Sequence, residues 1–425
     1  MQFRRLLGVL ALALGLTLSL LLALGTAQAA PTASTRYVAT TGQDLIGSSP
    51  PYVINNCLNR GTPCRTVQHA VDRADAGDTI YVAGGVYTSG GAAVITVTKS
   101  ITLYGGWNGA ASGPLVRDPV AYPTTLDGER VRRVVYIGNA APTIAGFIIA
   151  NGWCSGTTNN VGGGVYIDAG APVIAGNVIT DNFARNYGGG LYAEGATLVL
   201  TANDVLSNRV TYGGGGLYLS EGVAWLHGNR IADNRASYGG GVEVDHTTCT
   251  ATANLLVNNQ AGSAWMISGT AGRARLVNNV VANNNEAAVR IYQYRVEMVH
   301  NTIAFNGDRA VEGWYTATLT LTNNIIAHNH LGVSTILGSQ AAGDYNLFWQ
   351  NSSNSFTGTH AVVADPRLAP DGYHLGPGSA AMDAATNAGV TDDVDGDRRP
   401  IGPAPDIGAD ERRIYVQVPL VLRSF

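Results

Sequence analysis

Lysine is almost missing from this chain: Lys99 is the only one in 425 residues, and charged residues make up just 13%. Helical repeats and coiled coils draw on Ala, Glu and Lys at helical spacing, so this depletion argues against both. A formal net charge of −4 argues against a nucleic-acid partner. Cysteine is scarce, with four residues and no CxxC or Cys/His spacing of a zinc module. Past Leu24 no apolar run is long enough to cross a bilayer.

What the chain does have is a repeat. Asn-x-aliphatic-x-x-Asn begins at Asn177, Asn203, Asn229, Asn254, Asn279, Asn301, Asn324 and Asn346, in steps of 26, 26, 25, 25, 22, 23 and 22 residues. Gly-Gly-Gly keeps time with the early copies, at Gly162–Gly164, Gly188–Gly190, Gly214–Gly216 and Gly239–Gly241. A fixed period of this size means a solenoid. Within one repeat, short apolar and β-branched runs are broken every few residues by Gly, Asn, Asp and Thr, and no window carries helical periodicity. A leucine-rich repeat would show a strict Leu pattern, which is absent. The expected fold is therefore all-β, a right-handed parallel β-helix with about three short strands per coil, stacked at about 4.8 Å. The recurrent Asn is expected at tight corners, adopting left-handed backbone angles and bonding its equivalent one coil away.

The chain opens with Arg4-Arg5, an apolar run from Leu6 to Leu24 and Ala27-Gln28-Ala29, which reads as a secretory signal peptide over residues 1–29. Residues 36–106 form an N-terminal cap and first coils, with one helix expected over Val67–Ala74 to cover the open end of the core. The β-helix body spans 107–363, an irregular Pro, Gly and Asp-rich closing module 364–411, and an apolar tail 412–425. Export permits disulfides, and the seven-residue spacing of Cys57 and Cys64 favours a local one. Whether Cys154 and Cys249 pair stays open.

Aligning the glycine triplets gives four equivalent strands starting at Val165, Leu191, Leu217 and Val242. Period two turns their second and fourth residues outward. One outward stripe is Tyr166, Tyr192, Tyr218 and Glu243; the other is Asp168, Glu194, Ser220 and Asp245. Tyr187, Tyr212 and Tyr238 lie just ahead of the glycines. Tyr166, Tyr192 and Tyr218, with Trp265, are candidate contacts to sugar rings; the same tyrosines also make sense as a ladder that stabilises the sheet. Asp168, Glu194, Glu243 and Asp245 are the candidates for acid–base work if the protein is an enzyme, because glycoside hydrolysis needs two carboxyls on one face. A lyase would need a base such as Lys99, Arg290 or Arg295. Asp393, Asp395 and Asp397 alternate around Gly396 like the start of a calcium loop, which Asp406 and Asp410 could complete.

Residues 36–44 (RYVATTGQD) and 64–88 (CRTVQHAVDRADAGDTIYVAGGVYT) resemble the opening module of secreted bacterial β-helix proteins of the pectate-lyase-like superfamily. The block from Asp344 through DPRLAPDGYHLGPGSAAMDAAT to DIGADE resembles the choice-of-anchor Q domain found in such proteins, and VPLVLR is similar to the ends of many exported bacterial proteins. The resemblance implies a secreted or surface-displayed β-helix and supplies no reaction. The Asn-Thr-Asp, Asp-Asp and Gly-His-Gly sites of the polygalacturonase-like hydrolases are not found in the coils. The expectation is a non-catalytic protein presenting the Tyr and carboxylate stripe to an extracellular polysaccharide or envelope component; a polysaccharide lyase or glycoside hydrolase is the alternative.

Overall fold

The structure, a computed structural model, describes residues 33–413 except 48–49, 157–159 and 271. The signal-peptide reading and the C-terminal end of the tail fall outside the described residues. Three long parallel sheets of 12, 11 and 10 strands, here sheets I, II and III, run the length of a β-solenoid. One coil contributes Val165–Gly170 to sheet III, Val173–Ala175 to sheet I and Val178–Thr180 to sheet II. In-register stacking then carries each strand to its neighbour one repeat on, as Val165 pairs with Leu191 and Tyr166 with Tyr192. Ile167, Ile174 and Ile179 all point inward and are fully buried. A chain with alternating short apolar runs forms this shape because each coil buries its inner face only against the coils above and below.

Two ladders of asparagine hold the corners. Asn177, Asn203, Asn229, Asn254, Asn279, Asn301, Asn324 and Asn346 form the first, each Nδ2 donating to the next Oδ1 at 2.9–3.1 Å. The second runs from Asn182 through Asn208, Asn234, Asn259, Asn284, Asn306 and Asn329 to Asn351, at 2.9–3.3 Å. One expectation is corrected here. The left-handed residue is not the ladder Asn but the one before it: Ala202, Ala253, His300 and Tyr345 on the first ladder, Ser207, Phe305 and His328 on the second, all with φ between 52° and 59°. Turning the chain one residue early leaves the Asn side chain pointing into the stack, where its amide has carbonyls to meet.

The glycine triplets serve a neighbouring corner. Gly188 has φ 62°, and a Cβ on Gly190 would sit 2.6 Å from the Gly216 carbonyl. The coils of the first three triplets carry an additional short strand, and Trp153–Cys154, Phe183–Ala184 and Arg209–Val210 make a three-stranded sheet IV between sheets II and III. Among the described residues, later coils have no strand at this position.

Helix α1, Val67–Arg73, begins at Thr66, whose side chain accepts from the His69 N–H, and buries Val67, Ala70 and Val71 in the same core as Val38 and Ile80. Lys99 Nζ donates to the carbonyls of Asp72 and Ala74 at 3.0 and 2.7 Å. The sole lysine therefore closes a helix C-terminus, where a cation is favoured, and is withdrawn as a catalytic base. Cys57 and Cys64 form a disulfide with Cα atoms 5.0 Å apart. Cys154 and Cys249 are free: Cys154 lies on sheet IV, while Cys249 faces the core from sheet I. The 106/107 boundary falls inside the sheet I strand Thr102–Trp107.

Residues 364–411 contain no strand or helix and fold back along the outside of sheet II. Leu375, Ala381, Ala385 and Ile407 cover Ile325, Ala327 and Leu347, and Ala409 covers Val280 and Ala282. Arg399, buried, donates to the Asp406 carbonyl at 2.6 Å and lies 2.8 Å from His300 Nδ1. Asn278 Nδ2 donates to the Asp392 carbonyl at 2.6 Å. Asp392-Asp393, although in the closing module, therefore lies against the coils.

Candidate functional site

The outer face of sheet III carries a row of register-paired residues: Tyr136, Tyr166, Tyr192, Tyr218, Glu243, Met266, Arg290 and Glu312. Ring centroids are 5.5, 5.4 and 5.4 Å apart along the first four, with Tyr192 and Tyr218 stacked at 14°. Tyr136 was missed from sequence, although Val135-Tyr136-Ile137 repeats the pattern of Val165-Tyr166-Ile167 one coil earlier. Beside the row, Asp168 and Glu194 are exposed, and Tyr136 Oη donates to Asp168 Oδ2 at 3.0 Å. Burial, followed by the charges of Asp168 and Glu194, pushes the Tyr166 hydroxyl up to about 12, so it stays a hydrogen-bond donor at any physiological pH.

A second aromatic row has a gap. Val161, Tyr187, Gly213 and Tyr238 occupy equivalent positions in successive coils, so Gly213, the first of the four glycines 213–216, stands where its neighbours carry tyrosine. Sequence alignment on the glycines placed Tyr212 there; the structure sets it one residue aside. The vacated space is taken by the Glu243 carboxyl, since a Cβ at Gly213 would sit 1.9 Å from Glu243 Oε2. Tyr187, over Tyr218 at 4.6 Å, helps to bury it to 8% exposure. Tyr187, Tyr212 and Tyr238 are the accessible rings of this face, at 36%, 52% and 52%.

Glu243 is itself 9% exposed, and its Oε2 is enclosed without a hydrogen-bond partner. Burial, reinforced by Asp245 two residues away, pushes its carboxyl up to about 7. Asp245 is held by Ser268 Oγ at 3.2 Å, by His246 Nδ1 at 2.8 Å and by Tyr218 Oη at 3.4 Å. The two carboxyls share a strand, but the protonatable one is shut away from a substrate on this face.

Other candidates are corrected by their positions. Trp265 is fully buried, because it pairs with Val242 and Val289 at an inward position; it is core and meets no ligand. Arg290 and Arg295 lie on sheets III and I and make no pair. Arg290 Nε is instead 2.6 Å from Glu312 Oε2, a carboxylate that Arg309 also contacts at 3.1 Å. Asp393, Asp395 and Asp397 do not converge on one point. Asp393 accepts the backbone N–H groups of Asp395, Asp397 and Glu411, which uses both its oxygens for the turn. Asp397 pairs with Arg413, and Asp395 turns to His374 Nε2 at 2.9 Å. Asp406 accepts from Asp383 N and Arg412 N, away from that contact. Asp410 alone joins Asp395 and His374.

The solved structures that superpose on this chain include pectate lyase Pel9A, at 15% identity and a TM-score of 0.58, covering 90% of this chain and 98% of that one. They also include XylC in complex with xylose, at 12% identity and a TM-score of 0.50, covering 79% and 87%. This likeness is one of fold. No family model and no curated protein matches the chain. Among the described residues no helix is long and apolar enough to cross a membrane.

Proposed function

We propose that the protein is an exported carbohydrate-binding β-helix that holds an extended glycan along the outer face of sheet III without cleaving it. What carries this reading is the unbroken row Tyr136, Tyr166, Tyr192 and Tyr218, flanked by the accessible rings of Tyr187, Tyr212 and Tyr238 and by the exposed Asp168 and Glu194. Aromatic faces pack on the C–H faces of sugar rings, and carboxylates accept from hydroxyls. The non-catalytic part rests on the enclosed Glu243 and on Arg290 being taken up by a buried carboxylate. The partner is an extracellular polysaccharide or an envelope component.

The raised carboxyl of Glu243 beside Asp245 supports a second reading, hydrolysis with Glu243 as acid once ligand binding uncovers it. Affinity electrophoresis against a panel of acidic and neutral polysaccharides tests the first reading. Tyr192→Ala and Tyr212→Ala should each weaken retardation about three- to tenfold, from about 0.5–1.5 kcal/mol per aromatic contact. Unchanged mobility of both variants and the parent would remove the platform. Following 235 nm absorbance and reducing ends over the same panel tests the second, and any product abolished by Glu243→Gln would replace binding by catalysis.

A further inference from the structure

We propose that His374, Asp395 and Asp410 form a Zn²⁺ site on the C-terminal segment, remote in chemistry from the tyrosine face. One ring nitrogen and one oxygen from each carboxylate all lie within 4.8 Å of one another. Ligands around tetrahedral zinc at 2.0–2.2 Å stand about 3.4 Å apart, so side-chain movements of about 1 Å complete the sphere.

The histidine is prepared for the role. Its Nδ1 lies 2.6 Å from Asp371 Oδ2, and Asp371 is itself fixed by the N–H groups of Tyr373 and His374 on Oδ1 at 3.1 and 3.2 Å. With Nδ1 donating to that carboxylate, Nε2 is the nitrogen that would bind a metal, in place of the proton it shares with Asp395 Oδ2 at 2.9 Å. Asp371 thus occupies the outer position of a carboxylate–histidine–metal arrangement.

Asp410 is the third member of the cluster. It is 6% exposed, and one oxygen accepts the Leu375 N–H at 2.7 Å. The other has no hydrogen bond among the described residues and opens onto the cavity beside His374 and Asp395. Together with His374 and Asp395 it lines a cavity of about 370 Å³. Arg413, at the edge of that cavity, is engaged by Asp397. Three protein ligands leave the fourth tetrahedral position open toward the cavity. Imidazole with two carboxylates suits zinc; calcium takes six to eight oxygens, which this cluster does not offer.

Titration calorimetry of the full exported chain with Zn²⁺, and separately with Ca²⁺, tests the site. We expect one Zn²⁺ per chain at micromolar affinity or tighter, no saturable Ca²⁺ heat here, and four-coordinate visible absorption when Co²⁺ is used instead. His374→Ala and Asp395→Asn should each weaken Zn²⁺ at least tenfold. Asp371→Asn, which touches no metal, should weaken it about 10- to 100-fold. The Asp395 side chain is 41% exposed, so Asp395→Asn retains the fold, checked by an unchanged melting temperature in EDTA. Failure of the parent to bind Zn²⁺, or equal binding by parent, His374→Ala and Asp395→Asn, would overturn the site, the latter by placing the ion on other histidines.

Discussion

Asn229→Leu should destabilise the protein by about 3–5 kcal/mol, the largest effect we expect from one polar substitution. Asn229 donates to the Leu200 carbonyl at 2.9 Å and to Asn254 Oδ1 at 2.9 Å, and its Oδ1 accepts from Asn203 N and Asn203 Nδ2, both at 3.0 Å. Leucine removes all four bonds at once. The Leu200 carbonyl and the Asn203 backbone N–H lose these partners in a dry stack, at about 1–3 kcal/mol for each group stranded, while Asn203 Nδ2 keeps the Ile174 carbonyl. The added apolar contact offsets only part of this. Because coils interact only with their neighbours, breaking the ladder mid-rod should also loosen the coupling between the two halves and broaden the transition. Chemical denaturation followed by circular dichroism reads both effects. An unshifted midpoint would mean the ladder amides contribute little net stability.

Raising the pH from 5 to 8 should destabilise the protein through Glu243, and Glu243→Gln should abolish that share. The sign follows from the direction of the shift. In the unfolded chain the carboxyl titrates near 4.5, whereas burial and then Asp245 raise it to about 7 in the fold. Below pH 4.5 both states hold the proton and nothing is lost. Between 4.5 and 7 the unfolded state ionises while the folded state keeps its proton, so stability falls with pH and levels off above 7. The gap corresponds to about 3 kcal/mol. Asp406 and Asp410, which burial raises to about 6, add to the same trend, so the informative quantity is the difference between parent and variant. That difference should widen in favour of Glu243→Gln from pH 5 to pH 8 in urea melts. Parallel curves would show that Glu243 is solvated rather than enclosed.

Much of the body was legible from spacing. The Asn period gave the solenoid and both ladders, and alternation in Val165–Asp168 gave the inward and outward faces. Tyr136 escaped because no glycine triplet precedes it. Trp265 was misplaced because its coil has no triplet, so nothing marked its phase against Val242. One further signal went unread. Outer positions of sheet II change from Asp204 and Arg230 in early coils to Val280 with Ala282, and Ile325 with Ala327, in later ones. Strands apolar on both faces are buried on both faces, and the C-terminal segment supplies the cover.

By itself the sequence determined the repeat, the parallel stacking, the Asn corners and the tyrosine row, because each follows from residues that recur every 22–26 positions in similar coils. Tertiary structure alone decided what has no fixed spacing. It placed the Gly213 gap over Glu243, set Lys99 against the end of a helix, and laid residues 364–411 along sheet II so that His374, Asp395 and Asp410 meet. These contacts join segments whose separation obeys no period, and only the packed chain brings them together.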